Sequence, residues 1–317
     1  MMFFKGFIAA ILTITVFWLF LLISQISRPT LSSQWIADAY EHKTKLAQKI
    51  QGQKILIVAG SSSLFGLDSK ALEQAYQIPV VNFSVNAGLL LPFVLLKSQE
   101  VLKKGDIVIM PLEYHFYTYD GIPNVQMIDQ IFSREPSFFW KLSLKEQWHM
   151  LRLTSITQLY KGFLAKGGQK TMIGPYGYAN LDDHGDQTHT SKEEAIQWAY
   201  DWEALKKELP RHYGQDAHNK EGWRWLKDYA QWAKEEGIHL IITPPTMMFD
   251  PFYKNDPVEK AFYEGLKVKV ESLGISFVGD PYTYMYEREV YFNTDYHLTD
   301  IGRTIWTQAL IKDLKTQ

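Results

Sequence analysis

From Gly6 to Ser27 no charged side chain interrupts a run that includes Phe7, Ile8, Ile11, Leu12, Val16, Phe17, Trp18, Leu19, Phe20, Leu21, Leu22 and Ile23. About 20 apolar residues in a helix cross a hydrocarbon layer of about 30 Å, so the run predicts a membrane span. A cleaved signal peptide is the competing reading, but its apolar region usually covers about 7–15 residues and ends in a small-residue cleavage site. Here the run is longer, and Ser24-Gln25-Ile26-Ser27-Arg28-Pro29 makes a poor site. The pattern favours an uncleaved anchor over residues 1–28. An amphipathic stretch from Ser33 to Ile50 then predicts a juxtamembrane helix within a linker over 29–53.

From Lys54 onward short apolar runs alternate with helical patterns, as in a parallel sheet covered by helices. Strands are expected at Ile55–Ala59, Val80–Phe83, Ile107–Leu112, His239–Thr243 and Ile275–Val278. Helices are expected at Ser69–Tyr76, Leu91–Leu102, Gly222–Glu236, Pro257–Leu273 and Asp300–Leu314. Glu236-Gly237-Ile238 and Leu273-Gly274-Ile275 place a glycine where a helix stops before a strand. The predicted fold is α/β, a three-layer α/β/α sandwich with a parallel five-stranded sheet, occupying residues 54–317. Between the third and fourth strands, about Tyr114 to Glu221, lies a segment too long for a bare loop. It contains helix-like stretches at Leu142–Phe163 and Ser191–Lys207. The expectation is a large insert capping one end of the sheet, where ligands bind in open α/β folds.

Composition narrows the possibilities. A formal net charge of -2 with no basic stripe argues against a nucleic-acid partner. The absence of cysteine removes thiol nucleophiles, disulfides and Cys-zinc sites. Sidedness stays open on charge alone. Lys5 precedes the span while Arg28, Lys43, Lys45 and Lys49 follow it, which mildly opposes export, although most of these lie within the juxtamembrane helix.

Candidate chemistry comes from two distant places. Gly60-Ser61-Ser62-Ser63-Leu64-Phe65-Gly66 puts serines in a glycine-framed turn directly after the first strand. Asn293-Thr294-Asp295-Tyr296-His297-Leu298-Thr299 sets an acid two residues before a histidine, ahead of the last helix. Together they supply a nucleophile, a base and an orienting carboxylate, the minimum for acyl transfer through an ester intermediate. Ser61 and Ser63 compete for the role of Ser62, and the serine run is also plain turn chemistry.

These elements, with Asn82 to Gly88 after the second strand, resemble the SGNH (GDSL-like) hydrolase superfamily from Lys54 to the C-terminus, minus the insert. With its anchor and Asp-x-His pair the chain is most similar to envelope members that acylate polysaccharides, of the alginate-acetylation and teichoic-acid D-alanylation type. The resemblance implies Ser62 as nucleophile, His297 as base and Asp295 as its orienting acid. It also implies an oxyanion hole from the Ser62 backbone N–H and Gly88. The family's asparagine after the third strand is missing. Met110-Pro111-Leu112-Glu113-Tyr114-His115 stands there, so Asn86 or a backbone amide is expected to substitute, and Glu113 is otherwise read as a carboxylate paired with a nearby base.

The resemblance implies serine-dependent acyl transfer or ester hydrolysis, O-acetylation or deacetylation, on a cell-envelope or exopolysaccharide glycan. The domain would be periplasmic or extracellular and held by a single-pass anchor, with a membrane-bound acyltransferase as a possible partner. The alternatives are a non-catalytic glycan-binding or scaffolding component of such a system and a cytosol-facing lipid esterase. No cofactor is implied, since neither a P-loop nor a dinucleotide fingerprint is present. Asp182, Asp183, His184, Asp186 and His189 match no familiar metal spacing and read as a solvated loop. Trp223, Trp225, Leu226, Tyr229 and Trp232 follow helical spacing and read as core. Thr243-Pro244-Pro245-Thr246 is expected to shape the pocket rim, and Asp68 to begin the first helix of the sheet domain.

Overall fold

A computed structural model describes residues 2–26, 30, 33–164, 174–197 and 202–316. Residues 27–29 of the disfavoured cleavage site, Arg28 among them, lie outside the described residues, as do 198–201 of the helix expected over Ser191–Lys207. Helix α1 covers Met2–Gln25 and α2 covers Gln34–Lys49. Then come β1 (Ile55–Ile57), α3 (Ser61–Gly66), α4 (Ser69–Tyr76) and β2 (Val80–Asn82). They are followed by α5 (Leu90–Gln99), β3 (Ile107–Pro111) and α6 (Tyr114–Tyr117). The long intervening segment holds α7 (Val125–Arg134), α8 (Leu144–Leu153), α9 (Ile156–Leu164), α10 (Lys192–Gln197) and α11 (Trp202–Lys206). The remainder is α12 (Glu221–Glu236), β4 (His239–Thr243), β5 (Met247–Met248) and α13 (Phe252–Asn255). Last are α14 (Pro257–Glu271), β6 (Ser276–Phe277), β7 (Met285–Tyr286) and α15 (Asp300–Leu314).

Contacts divide the chain into two compact units, residues 1–37 with 122–171 and residues 38–121 with 172–317. The first contains α1, α7, α8 and α9. From Phe4 to Ser24, α1 is long and apolar enough to cross a membrane. The segment expected as one insert is thus split, its first part grouping with the N-terminal helix and its second with the sheet.

The second unit is built on the expected parallel five-stranded sheet, in the order β2-β1-β3-β4-β6 with helices around it. Ile57 is in register with Asn82 and Ile109, and Pro111 with Thr243. The C-terminal ends of four strands therefore share one edge, and the segments following them meet there. Ile55, Ile57 and Ile109 turn to one face and pack with Leu72 of α4 and with Trp306 and Leu310 of α15. Alternation sends buried Leu56, Val108 and Met110 to the other face, and α12 packs on α5 and β4.

Several strands are shorter than their apolar runs suggest, because the ladder ends where the chain turns away. The last strand contracts from Ile275–Val278 to Ser276–Phe277, although the Val278 N–H still reaches Ile242 O at 3.0 Å. The pair β5–β7 was not anticipated, two residues per strand being too few to show a period. Trp223, Trp225, Leu226 and Tyr229 are buried as expected, and Asp68 caps α4 by accepting from the Ala71 N–H at 2.9 Å.

Candidate active site

Helix α3 begins at Ser61, where a turn was expected. In so short a helix each residue's direction is decided by its place on the turn, with residues i and i+4 sharing a face. Ser61 and Phe65 share one face. The Phe65 ring lies flat against the His297 imidazole, with centroids 4.1 Å apart and planes 2° from parallel. Ser61 and His297 both line a cavity of about 420 Å³ at the sheet edge, with Ala87, Glu113, His115, Arg211, Tyr213 and Asp295 also in its wall. The two distant stretches of sequence therefore do converge.

They do not converge as expected, however. Ser62 is 0% exposed and absent from the cavity wall, and its Oγ has no hydrogen-bond partner. The serine in the cavity wall with the histidine is Ser61, the first residue of the helix. Nor does Asp295 orient His297. Its carboxylate is held by Arg211 through two bonds, Nε to Oδ2 at 2.9 Å and Nη2 to Oδ1 at 3.0 Å. This pairing raises the guanidinium pKa, so Arg211 stays charged. The residue at His297 Nδ1 is Asn293, whose Oδ1 lies 2.7 Å away. An amide oxygen can only accept, so Nδ1 carries the proton and Nε2 keeps the lone pair that a general base needs.

Local turn chemistry builds this arrangement. Thr294 Oγ1 accepts the N–H groups of Tyr296 and His297 at 3.1 and 3.0 Å. The Phe292 N–H donates to His297 O at 2.7 Å, and Thr299 caps α15 through Gly302. Arg303 of α15 donates to Phe65 O at 3.0 Å, which ties the helix that follows the histidine to the serine's helix.

The expected oxyanion donors are already engaged. Glu113, 1% exposed, accepts the Gly60 N–H on Oε2 and the Ser62 N–H on Oε1, each at 2.9 Å. The Gly88 N–H is taken by Asn86 Oδ1 at 2.6 Å, and Ala87 rather than either of them lines the cavity. The missing asparagine is thus replaced by an acceptor that satisfies the backbone amides of the helix start. A side chain at position 60 has no room, since a Cβ there would lie 2.5 Å from both Ala87 Cβ and Glu113 Oε1. The base expected to pair with Glu113 is not its hydrogen-bond partner: nearby His115 has its Nε2 3.3 Å from Ala87 O, and burial lowers its pKa.

The loop over 182–189 is not simply solvated. Asp186, 2% exposed, accepts from Ser69 N and Ser69 Oγ at 2.7 Å each and from Asn82 Nδ2 at 2.8 Å. Asn82 Nδ2 also donates to Ser63 O at 2.8 Å, so this carboxylate helps hold α3 in place. Gly185 has φ +87°, and a Cβ there would come within 2.7 Å of Asn82 O. Lys43 is buried nearby, donates to Ser84 O at 2.5 Å and has its pKa lowered to about 7 by burial. No group of three His, Asp or Glu side chains is placed to hold a metal ion among the described residues.

Burial lowers the His297 pKa from 6.5 to about 3, so the ring is neutral through the physiological range. The unfolded chain binds this proton below 6.5 and the native state only near 3, so stability falls as pH drops through that window. One such proton gives a slope of about 1.4 kcal/mol per pH unit. Asp186 acts in the opposite sense, because burial raises it from 3.8 to about 6 and the native state keeps a proton that the unfolded chain releases. Comparing urea midpoints of wild type and His297→Gln isolates the histidine. Their stability difference is expected to shift by about 1.4 kcal/mol per unit between roughly pH 6 and pH 4. Curves that stay parallel would show a solvated ring.

Sequence reasoning placed Ser61 second to Ser62 and missed the roles of Asn293, Arg211 and Phe65. Asn293, four residues before His297, and Phe65, four after Ser61, carried the only local signal. Arg211 carried none. Compared with known proteins, the chain matches no family model and no curated sequence.

Proposed function

We propose that this protein is a membrane-anchored, SGNH-type serine acyltransferase or esterase of three-layer α/β/α architecture. It would act on acetyl or similar ester groups of a cell-envelope or exopolysaccharide glycan. The observation that carries this reading is a cavity shared by Ser61 and a neutral His297 whose Nδ1 is already oriented. In the proposed course His297 Nε2 takes the Ser61 hydroxyl proton as Oγ attacks the ester carbonyl. The ester C–O bond then breaks and the donor alcohol leaves with that proton from His297. A sugar hydroxyl or water next attacks the serine ester while giving its own proton to His297, which passes it to Ser61 Oγ as the acyl group departs. A cavity of about 420 Å³ suits a short acyl group with part of a sugar better than a long lipid chain.

The Phe4–Ser24 helix supports a single-pass anchor; in the proposed reading the domain lies on the periplasmic or extracellular side. Lys43, counted against export in the sequence, is a buried internal donor rather than an exposed juxtamembrane charge. A membrane-bound acyltransferase as donor of the acyl group belongs to this reading. The test is turnover of acetyl esters by the full-length protein, together with covalent labelling by a fluorophosphonate. An adduct and turnover that is lost in His297→Gln are expected.

One observation favours a second reading, a non-catalytic glycan-binding or scaffolding component. The Gly60, Ser62 and Gly88 amides are all occupied by side-chain oxygens, so these three do not form a preformed oxyanion hole. Absence of any adduct or turnover, with retained binding of an acetylated glycan, would establish that alternative.

A further inference from the structure

The first unit leaves apolar side chains in solvent in a regular way. On α8, Leu144 and Trp148 are 83% and 64% exposed, one turn apart. On α9, Ile156, Tyr160 and Leu164 repeat the spacing, with Ile156 68% exposed. The opposite faces are satisfied. Leu142, Met150 and Leu159 are buried, and Glu146 turns inward to complete a capping box with Ser143. From Trp140 to Leu153 the charged residues other than Glu146 are Lys141, Lys145 and Arg152, all basic and all exposed. Exposed apolar residues edged by cations and carrying Trp and Tyr suit the headgroup layer, where aromatic rings sit half wet and basic side chains meet lipid phosphates.

The occupant of this face is set by its neighbour. Helix α9 packs against α1 within the same unit. Along Phe4–Ser24, α1 is exposed until Trp18, Leu21, Leu22 and Ser24, with Leu22 its buried residue. The span is therefore covered only near its C-terminal end, where an outgoing helix reaches the water boundary. An apolar surface seated there is continuous with the bilayer.

We infer that α8 and α9 form an interfacial platform that lies in the headgroup layer of the membrane α1 crosses, engaging anionic lipid. The inference rests on the reading that α1 spans a bilayer. A span and two interfacial helices in one compact unit restrict the tilt and rotation that a lone anchor allows.

The cysteine-free chain permits site-directed spin labelling of the full-length protein. The label is placed singly by Leu144→Cys, Trp148→Cys or Ile156→Cys, by Val268→Cys as a water-exposed control in the sheet unit, and by Leu12→Cys within the span. After reconstitution into phosphatidylcholine vesicles containing phosphatidylglycerol, collisions with oxygen and with a water-soluble nickel chelate are measured. A several-fold higher oxygen-to-nickel ratio at 144, 148 and 156 than at 268 is expected. Ratios at those three equal to that at 268, with Leu12→Cys immersed, would overturn the platform and leave the span intact. A wet Leu12→Cys would instead remove the spanning reading and the inference with it. Spin–spin broadening at 148 that disappears on dilution with unlabelled protein would assign the face to a second copy and also overturn it.

Discussion

Ser61→Ala is expected to abolish fluorophosphonate labelling and to lower ester turnover by about a thousandfold or more, the usual scale for removing a nucleophile. Ser62→Ala should leave both nearly unchanged. Ser61 lines the cavity with His297, whereas Ser62 is fully buried beneath it. The same pair of variants separates chemistry from folding. Ser62 Oγ is a buried polar atom without a partner, so its removal should be neutral or slightly stabilising in urea. Labelling that survives Ser61→Ala and is lost in Ser62→Ala would return the role to the serine expected from the Gly-x-Ser spacing. It would also mean that α3 rotates before reacting.

Glu113→Ala should destabilise the protein by about 2–6 kcal/mol in urea unfolding, because two buried N–H groups lose their acceptor and each costs about 1–3 kcal/mol when left unsatisfied. Both Gly60 and Ser62 donate to this one carboxylate, and Glu113 is itself buried. Glu113→Gln offers a graded comparison, since its amide keeps one acceptor oxygen but turns an NH₂ toward the other backbone donor. Its loss should be about half as large. Equal stability of wild type and Glu113→Ala would show that water already serves those amides, leaving them open to bind an oxyanion.

Much of the sheet unit was legible because its signals are local and repetitive. Val80–Asn82 and Ile107–Pro111 are short, largely apolar runs suited to buried strands, and helix starts are written at single positions, Asp68 and Thr299 as caps and Pro257 as a first helical residue. The apolar length of Phe4–Ser24 required no fold at all to be recognised. That the serine run lies at the sheet's edge was also readable, because it directly follows a strand of the parallel sheet, whereas the Asp-x-His stretch follows β7, which pairs with β5 outside that sheet.

What the sequence determined by itself was the parallel α/β unit, the apolar N-terminal helix and the two segments that supply a serine and a histidine. Only the tertiary structure chose among the side chains within those segments. A shift of one residue turns a helical side chain by about 100°, so starting α3 at Ser61 exchanged the cavity serine for its neighbour. The partner of Asp295 lies 84 positions away at Arg211, and the donors to Glu113 lie more than fifty away at Gly60 and Ser62. No period or spacing encodes such contacts, because pairings of charge and hydrogen bond over that range exist only once the chain has closed around them.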